Sequence, residues 1–236
     1  MTLQVGIVAN DGIVIASDTL ANRSPRFNLE LRAIQQFFGT SKLRVSADGK
    51  VVVTCARDMI QANRLAEALI AGLSPEFWQS PGQKMQEIVM SEVNRQEQWR
   101  EAECLIALSE PTPSLYLVQC FKETEETVCL PITNYIFAGN CHNGSTFWAM
   151  RYCDSLAPEF KQIETLIPIA AQIVVDGHAL NSGAISGLEI AVCDGSGVRR
   201  FTEAENKKQY ANALKRSDKI KSVLFPKRRT QNSENG

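Results

Sequence analysis

The sequence predicts an α+β protein in which two antiparallel sheets are covered by pairs of helices. Three observations carry that reading. The segments run strands, two helices, strands, two helices, strands. They lack the regular strand-helix alternation that builds a parallel sheet. The 236 residues, 44% of them hydrophobic, suffice for one large domain with a substantial core.

Leu3 to Val8 is strand-like, Asn10-Asp11-Gly12 is a strong tight-turn signal, and Ile13 to Ala16 is a second apolar strand, so the chain opens with a hairpin. Leu20 to Ser41 reads as an irregular excursion with a short helix at Leu29–Phe38. Lys42–Ser46 and Val51–Cys55 are strands joined by the turn Ala47-Asp48-Gly49. Helical spacing then takes over. Asp58 serves as N-cap, and Met59, Ala62, Leu65, Ala66, Leu69 and Ile70 recur at three- and four-residue intervals as far as Gly72.

A second helix is expected from Pro81 or Gly82 to about Glu101, followed by strands at Cys104–Ser109, Leu115–Phe121 and Tyr135–Ala138. Helices at Ser145–Leu156 and Ile163–Leu180 precede the closing strands Leu188–Cys193 and Val198–Phe201. Residues 1–202 form the predicted main domain. Residues 203–236 read as a polar basic helix and a disordered tail, PKRRTQNSENG. Nine Lys or Arg fall between Lys207 and Arg229, which favours a solvated face over a docking role.

A net charge of −1 gives no footprint for nucleic acid. There is no secretory signal pattern and no apolar run of membrane-spanning length, so a cytoplasmic protein without a membrane partner is expected. The seven cysteines form no C-x-x-C pair, and several sit in apolar runs such as LYLVQCF and LEIAVC, which reads as buried reduced thiols. His142 and His178 show no metal-ligand spacing. No metal and no cofactor are predicted.

The chemistry concentrates at the start, MTLQVGIVANDGIVIASDT. Removal of Met1, which a small following residue permits, would give Thr2 a hydroxyl and a free α-amine on one residue, a nucleophile and its base together. An α-amine with a pKa near ~8 is partly neutral at cytoplasmic pH, and a nearby cation would lower that value further. Lys42 is a candidate for the cation. Asp18, at the end of the second strand of the same hairpin, is a candidate to orient it. The bland alternative is a common threonine, an ordinary hairpin and a buried structural ion pair. Cys141 and His142 invite a rival reading as thiol and base, but neighbours on a strand point to opposite faces.

The string TLQVGIVANDGIVIASDTLA resembles the start of a mature proteasome β-type subunit: Thr, a spacer, V-G-I-V, a turn with D-G, an apolar run, then S-D-T. Counted from Thr2, Asp18 stands where that family carries its catalytic aspartate. The family's lysine follows sixteen residues later, a position held here by Ile34, so Lys42 in TSKLRV matches only with a loop eight residues longer. Downstream, VVVTCA resembles the family's T-x-A-G segment, FAGNCHNGSTFWAMRY its A-x-G-S-G segment, and SGAISGLEIAVCDGSGVRRF its S-G-G ending. The likeness is closest to the compact bacterial proteasome homologues that lack a propeptide.

That resemblance implies a four-layer αββα sandwich of the N-terminal nucleophile hydrolase type, and a threonine endopeptidase. Thr2 would attack, Lys42 would tune its amine and Asp18 would fix Lys42. Ala56 stands in place of the family's glycine and would offer its backbone N–H to an oxyanion. Asn140 replaces the accessory serine, and Ser182 is a turn or cap residue that would also bond to the Thr2 amine. The family's second aspartate has no direct match: Ala179 holds its place, with Asn181, His178 and Asp176 as the nearest polar residues. Thr54 would line the substrate pocket. The implied assembly is a homo-oligomer of stacked rings, taking unfolded polypeptides or peptides and served by an ATP-dependent unfoldase. A non-peptidase amidase on the same fold and a catalytically silent ring or scaffold subunit are the alternatives.

Overall fold

The computed structural model describes residues 2–23, 35–37, 39–73, 80–95, 101–121, 126–139, 150, 152–182 and 184–224. The elements follow from alternation and helical spacing. Strands β1 (Leu3–Val8) and β2 (Ile13–Ser17) form the predicted hairpin, closed by Ala9 N donating to Gly12 O at 2.7 Å. Short strands β3 (Ala21–Arg23) and β4 (Gln35–Phe37) pair with each other, so the C-terminal part of the helix expected at Leu29–Phe38 is a strand. A helix that short is marginal without packing, and pairing satisfies the backbone instead. The rest of that expectation lies outside the described residues.

Strand β5 (Leu43–Val45) leads to β6 (Val51–Arg57) and helix α1 (Met59–Gly72), capped by Asp58, whose Oδ1 accepts from Ile60 N at 3.1 Å and Gln61 N at 3.4 Å. Helix α2 (Pro81–Asn94) stops short of the expected Glu101, because Glu101 opens β7 (Glu101–Leu108). Ala102 is buried there between Arg57 and Cys120 in the ladder, and that pairing overrides helical spacing. Strand β8 (Ser114–Phe121) is followed by β9 (Glu126–Ile132), which the sequence reading missed. Its Pro131 argues against a strand, yet β9 lies at the sheet edge, where a missing N–H donor is tolerated. Strand β10 (Tyr135–Gly139) follows. Of the helix predicted at 145–156, Met150 and residues 152–155 are described and helical, and Leu156, also described, is a bend just past them. The chain then gives helix α3 (Ile163–Leu180), strands β11 (Glu189–Asp194) and β12 (Gly197–Arg200), and helix α4 (Glu203–Leu224).

The long strands make two antiparallel five-stranded sheets, in the orders β10-β1-β2-β11-β12 and β5-β6-β7-β8-β9. The class is α+β, as predicted. Leu3, Val5 and Ile7 of β1 pack with Leu166, Ala170 and Val174 of α3. On the second sheet, Val51, Val53 and Cys55 of β6 pack with Leu65, Leu69 and Met85 of α1 and α2. A third cluster draws on both sheets, joining Ile13, Ile15 and Ala191 to Val52, Ala107 and Leu115. Each large aliphatic side chain buried in this way contributes roughly 1.5–3 kcal/mol.

By length and composition α3 would suffice to cross a membrane, with mean hydropathy 1.3 over 18 residues, contrary to the expectation that no apolar run does. Its buried residues, Leu166 to Gly177, instead face the protein core. Helix α4 packs on α3 through polar contacts: Arg216 Nε donates to Gln172 Oε1 at 3.0 Å, and Ser217 Oγ donates to Asp176 Oδ1 at 3.0 Å.

Candidate active site

Alternation along β1 decides what the first residues can do. Leu3, Val5 and Ile7 are committed to the α3 face, so Thr2 and Gln4 face the second sheet. Gln4 Nε2 accordingly donates to Thr54 Oγ1 across the gap at 3.0 Å. Thr54, expected to line a substrate pocket, is fully buried and tied to Gln4. Thr2 itself is 5% exposed.

Asp18 follows β2 directly. Its Oδ1 accepts from Leu3 N at 2.9 Å and its Oδ2 from Leu20 N at 3.1 Å, which fixes the carboxylate beside the start of β1. Lys42 enters from the residue before β5. Its Nζ donates to Asp18 Oδ1 at 2.8 Å and to Thr2 Oγ1 at 3.0 Å. Both charged side chains have no solvent exposure. Burial pushes the Asp18 carboxyl above its usual range, while the Lys42 charge, the Lys42 bond and two backbone N–H groups pull it back. Burial likewise pulls the Lys42 ammonium below the usual lysine value, opposed first by Asp18. The arrangement can polarise the Thr2 hydroxyl: an ammonium donating to an oxygen lowers the cost of removing its proton.

Gly139 brings a third strand to this point. It pairs with Leu3 and has φ 82, and a Cβ there would lie 2.2 Å from the Thr2 carbonyl oxygen and 3.4 Å from the Ala56 Cβ. Ala56, buried near the end of β6, therefore adjoins Thr2 across Gly139. The left-handed backbone at this strand-to-helix junction falls on Arg57, with φ 76, and not on Ala56. Glycine is the residue such a conformation favours. Arg57 Nε donates to Glu103 Oε2 at 2.9 Å, and Gln119 Nε2 donates to the other carboxylate oxygen at 3.0 Å.

The accessory residues do not converge in the same way. Asn140 and the Cys141-His142 pair lie outside the described residues. Ser182 is exposed in the turn after α3. Asp176 accepts from Gln172 and Ser217 on the α4 side, and His178 Nδ1 lies 2.6 Å from Ile185 O. Among the described residues, none of Ser182, Asn181, His178 and Asp176 hydrogen-bonds to Thr2. The six described cysteines are free thiols. Burial pushes Cys129 and Cys153 up to about 11 and Cys193 up to about 12, which disfavours the thiolate a nucleophile needs. Glu189, which holds the backbone at Lys42, was missed altogether, because a lone Glu at the start of an apolar strand gives no pattern.

No family model matches the chain. No curated protein matches it either. Solved structures do. Anbu (ancestral beta-subunit) from Yersinia bercovieri superposes with a TM-score of 0.62 at 14% identity, covering 94% of this chain and 96% of that one. An Anbu (Gly-1) mutant from Hyphomicrobium sp. strain MC1 gives 0.64 at 14% identity, covering 95% and 97%. Anbu from the same strain gives 0.66 at 12%, covering 94% and 96%. At these identities the likeness shows the fold alone. It also corrects the resemblance drawn from the sequence to proteasome β-type subunits and their compact bacterial homologues: these three structures are Anbu proteins, a distinct group.

Proposed function

We propose that the chain is an N-terminal nucleophile amide hydrolase, a threonine peptidase acting through Thr2. The observation that carries this reading is the Lys42 ammonium held 3.0 Å from Thr2 Oγ1 by a buried Asp18. The reaction requires that Met1 be removed. Thr2 Oγ then attacks a peptide carbonyl, its proton passes to the freed α-amine directly or through water, and the amine hands it to the departing peptide nitrogen. Water, activated by the same amine, hydrolyses the ester left on Thr2. The Lys42 charge lowers the pKa of the amine and favours negative character on Oγ1. Backbone N–H groups at Ala56 and Arg57, the end of β6, are the donors proposed for the oxyanion. Losing one such donor costs on the order of 100-fold or more in rate.

The packing of α3 on one sheet and of α1 and α2 on the other supports the four-layer αββα arrangement of such hydrolases. Homo-oligomeric assembly, with the active sites facing an enclosed space, is part of the proposal, supported by the subunit description its structural neighbours carry.

Intact-mass measurement with a peptide epoxyketone tests the reading, since that probe closes a ring onto a hydroxyl and an adjacent free amine. Loss of Met1 and one adduct per chain, absent in Thr2→Ala, is the expected result. Retained Met1 with no adduct sinks it. Turnover of small amides but not of peptides would redirect it to the amidase, and a monomer by light scattering would remove the assembly.

A further inference from the structure

Lys42 directly precedes a three-residue edge strand, a poor mount for a side chain that must be aimed to within a fraction of an ångström. What fixes its backbone comes from the other sheet. Glu189 opens β11, opposite Ser17 of β2, and its side chain is 3% exposed. Its Oε1 accepts from both Lys42 N and Leu43 N, the latter at 3.0 Å. Its Oε2 accepts from Ser41 Oγ at 2.9 Å and from Arg200 Nη2 at 3.0 Å. Three consecutive residues, Ser41 to Leu43, are thus held by one carboxylate.

We infer that Glu189 is a positioning residue for the proposed reaction, clamping the Ser41–Leu43 backbone so that Lys42 points at Thr2. This rests on the reading above that Lys42 tunes Thr2. Burial works against a charged Glu189 and raises its pKa, with the Lys42 and Leu43 amides, the Ser41 hydroxyl and the Arg200 charge opposing that shift. A simple tie between sheets could be made by apolar side chains without that penalty. Arg200 Nη2 pairs with Glu189 Oε2 at 3.0 Å, and the Glu189 charge also favours the ammonium form of Lys42. Nothing else described makes a side-chain hydrogen bond to the Lys42 or Leu43 amide.

Three variants separate clamp from charge, read by the rate of the Thr2 epoxyketone adduct well below each melting temperature. Glu189→Gln keeps an oxygen for the Lys42 and Leu43 amides but puts an NH2 where Oε2 accepts from Ser41 and Arg200, so it keeps the hold on Lys42, loses the charge and the Ser41 tie, and slows far less than Glu189→Ala. Glu189→Ala loses the clamp and slows on the order of 100-fold, the cost of misplacing a catalytic group. Its rate–pH profile moves to higher pH as the amine loses its neighbouring cation. Glu189→Asp, too short to span both amides, shows the same slowing and decides the matter if Glu189→Ala does not fold. A folded Ala or Asp variant at the wild-type rate and profile overturns the proposal, as does a Gln variant as slow as Ala. A crystal structure of the Ala or Asp variant keeps the two readings apart. Should wild type form no adduct, the peptidase reading fails, and Lys42 Nζ displaced from Thr2 Oγ1 in the variant still upholds the clamp. Lys42 unmoved in that structure overturns it.

Discussion

Lys42 and Asp18 meet at 2.8 Å with neither side chain reaching solvent. Removing one partner of such a pair leaves a buried charge without compensation, so Lys42→Met should lose about 3–5 kcal/mol of stability at neutral pH. Burial already raises the Asp18 carboxyl above 3.8, and the Lys42 charge is what opposes it, so in the variant the folded-state pKa climbs further. A carboxyl raised in the folded state contributes fully below its unfolded value and loses that contribution as pH rises through the folded one. The variant should therefore recover towards wild type on acidification. Urea unfolding in neutral and mildly acidic buffer measures this, and an equal deficit in both would refute it.

Adduct formation at Thr2 should be bell-shaped in pH. The acid limb reports the α-amine. The alkaline limb reports Lys42, whose ammonium burial has pulled below the usual 10.5, so the rate should fall before that pH is reached. A stopped-flow rate series with the epoxyketone gives both limbs. A rate still rising at the ordinary lysine value would rule out the ammonium as the tuning charge.

Gly139→Ala should damage both fold and site. The residue has φ 82, and the added methyl would fall 2.2 Å from the Thr2 carbonyl oxygen, a backbone atom that cannot swing aside. The conformational strain alone is about 1–3 kcal/mol. Thermal unfolding should show at least that loss, and adduct formation should drop in the protein that remains folded.

Arg57 tests whether the oxyanion donor is backbone or side chain. In a Glu103→Gln background, where the carboxylate facing Arg57 is already neutral, Arg57→Gly should add roughly 1 kcal/mol of stability by relieving the left-handed conformation. Its adduct rate should equal that of Glu103→Gln alone, because the N–H remains. A rate lost with the side chain would assign the role to the guanidinium.

Much of the fold was legible because alternation and helical spacing are local. The β1–β2 hairpin, the Asp58 cap and the Ile163–Leu180 helix can each be read from a dozen residues. The failures were non-local. Pro131 disguised β9, since only the finished sheet shows that it lies on an edge. Glu101 changed from helix to strand because Phe121 supplies its partner. At the site, Thr2, Asp18 and Lys42 were candidates by residue type, with their spacing supplied by the family resemblance, and the structure brings their side chains together. Glu189 and Gly139 were not, because a clamp and a close approach exist only between strands distant in sequence.

Asp18 Oδ1 receives both the Leu3 amide, one peptide unit beyond Thr2, and the Lys42 ammonium. Thr2 and the Lys42 ammonium are therefore referenced to a single oxygen atom. Thermal drift of that atom carries the two together, so the spacing between them is buffered against breathing of the hairpin in a way that separate mounts could not match.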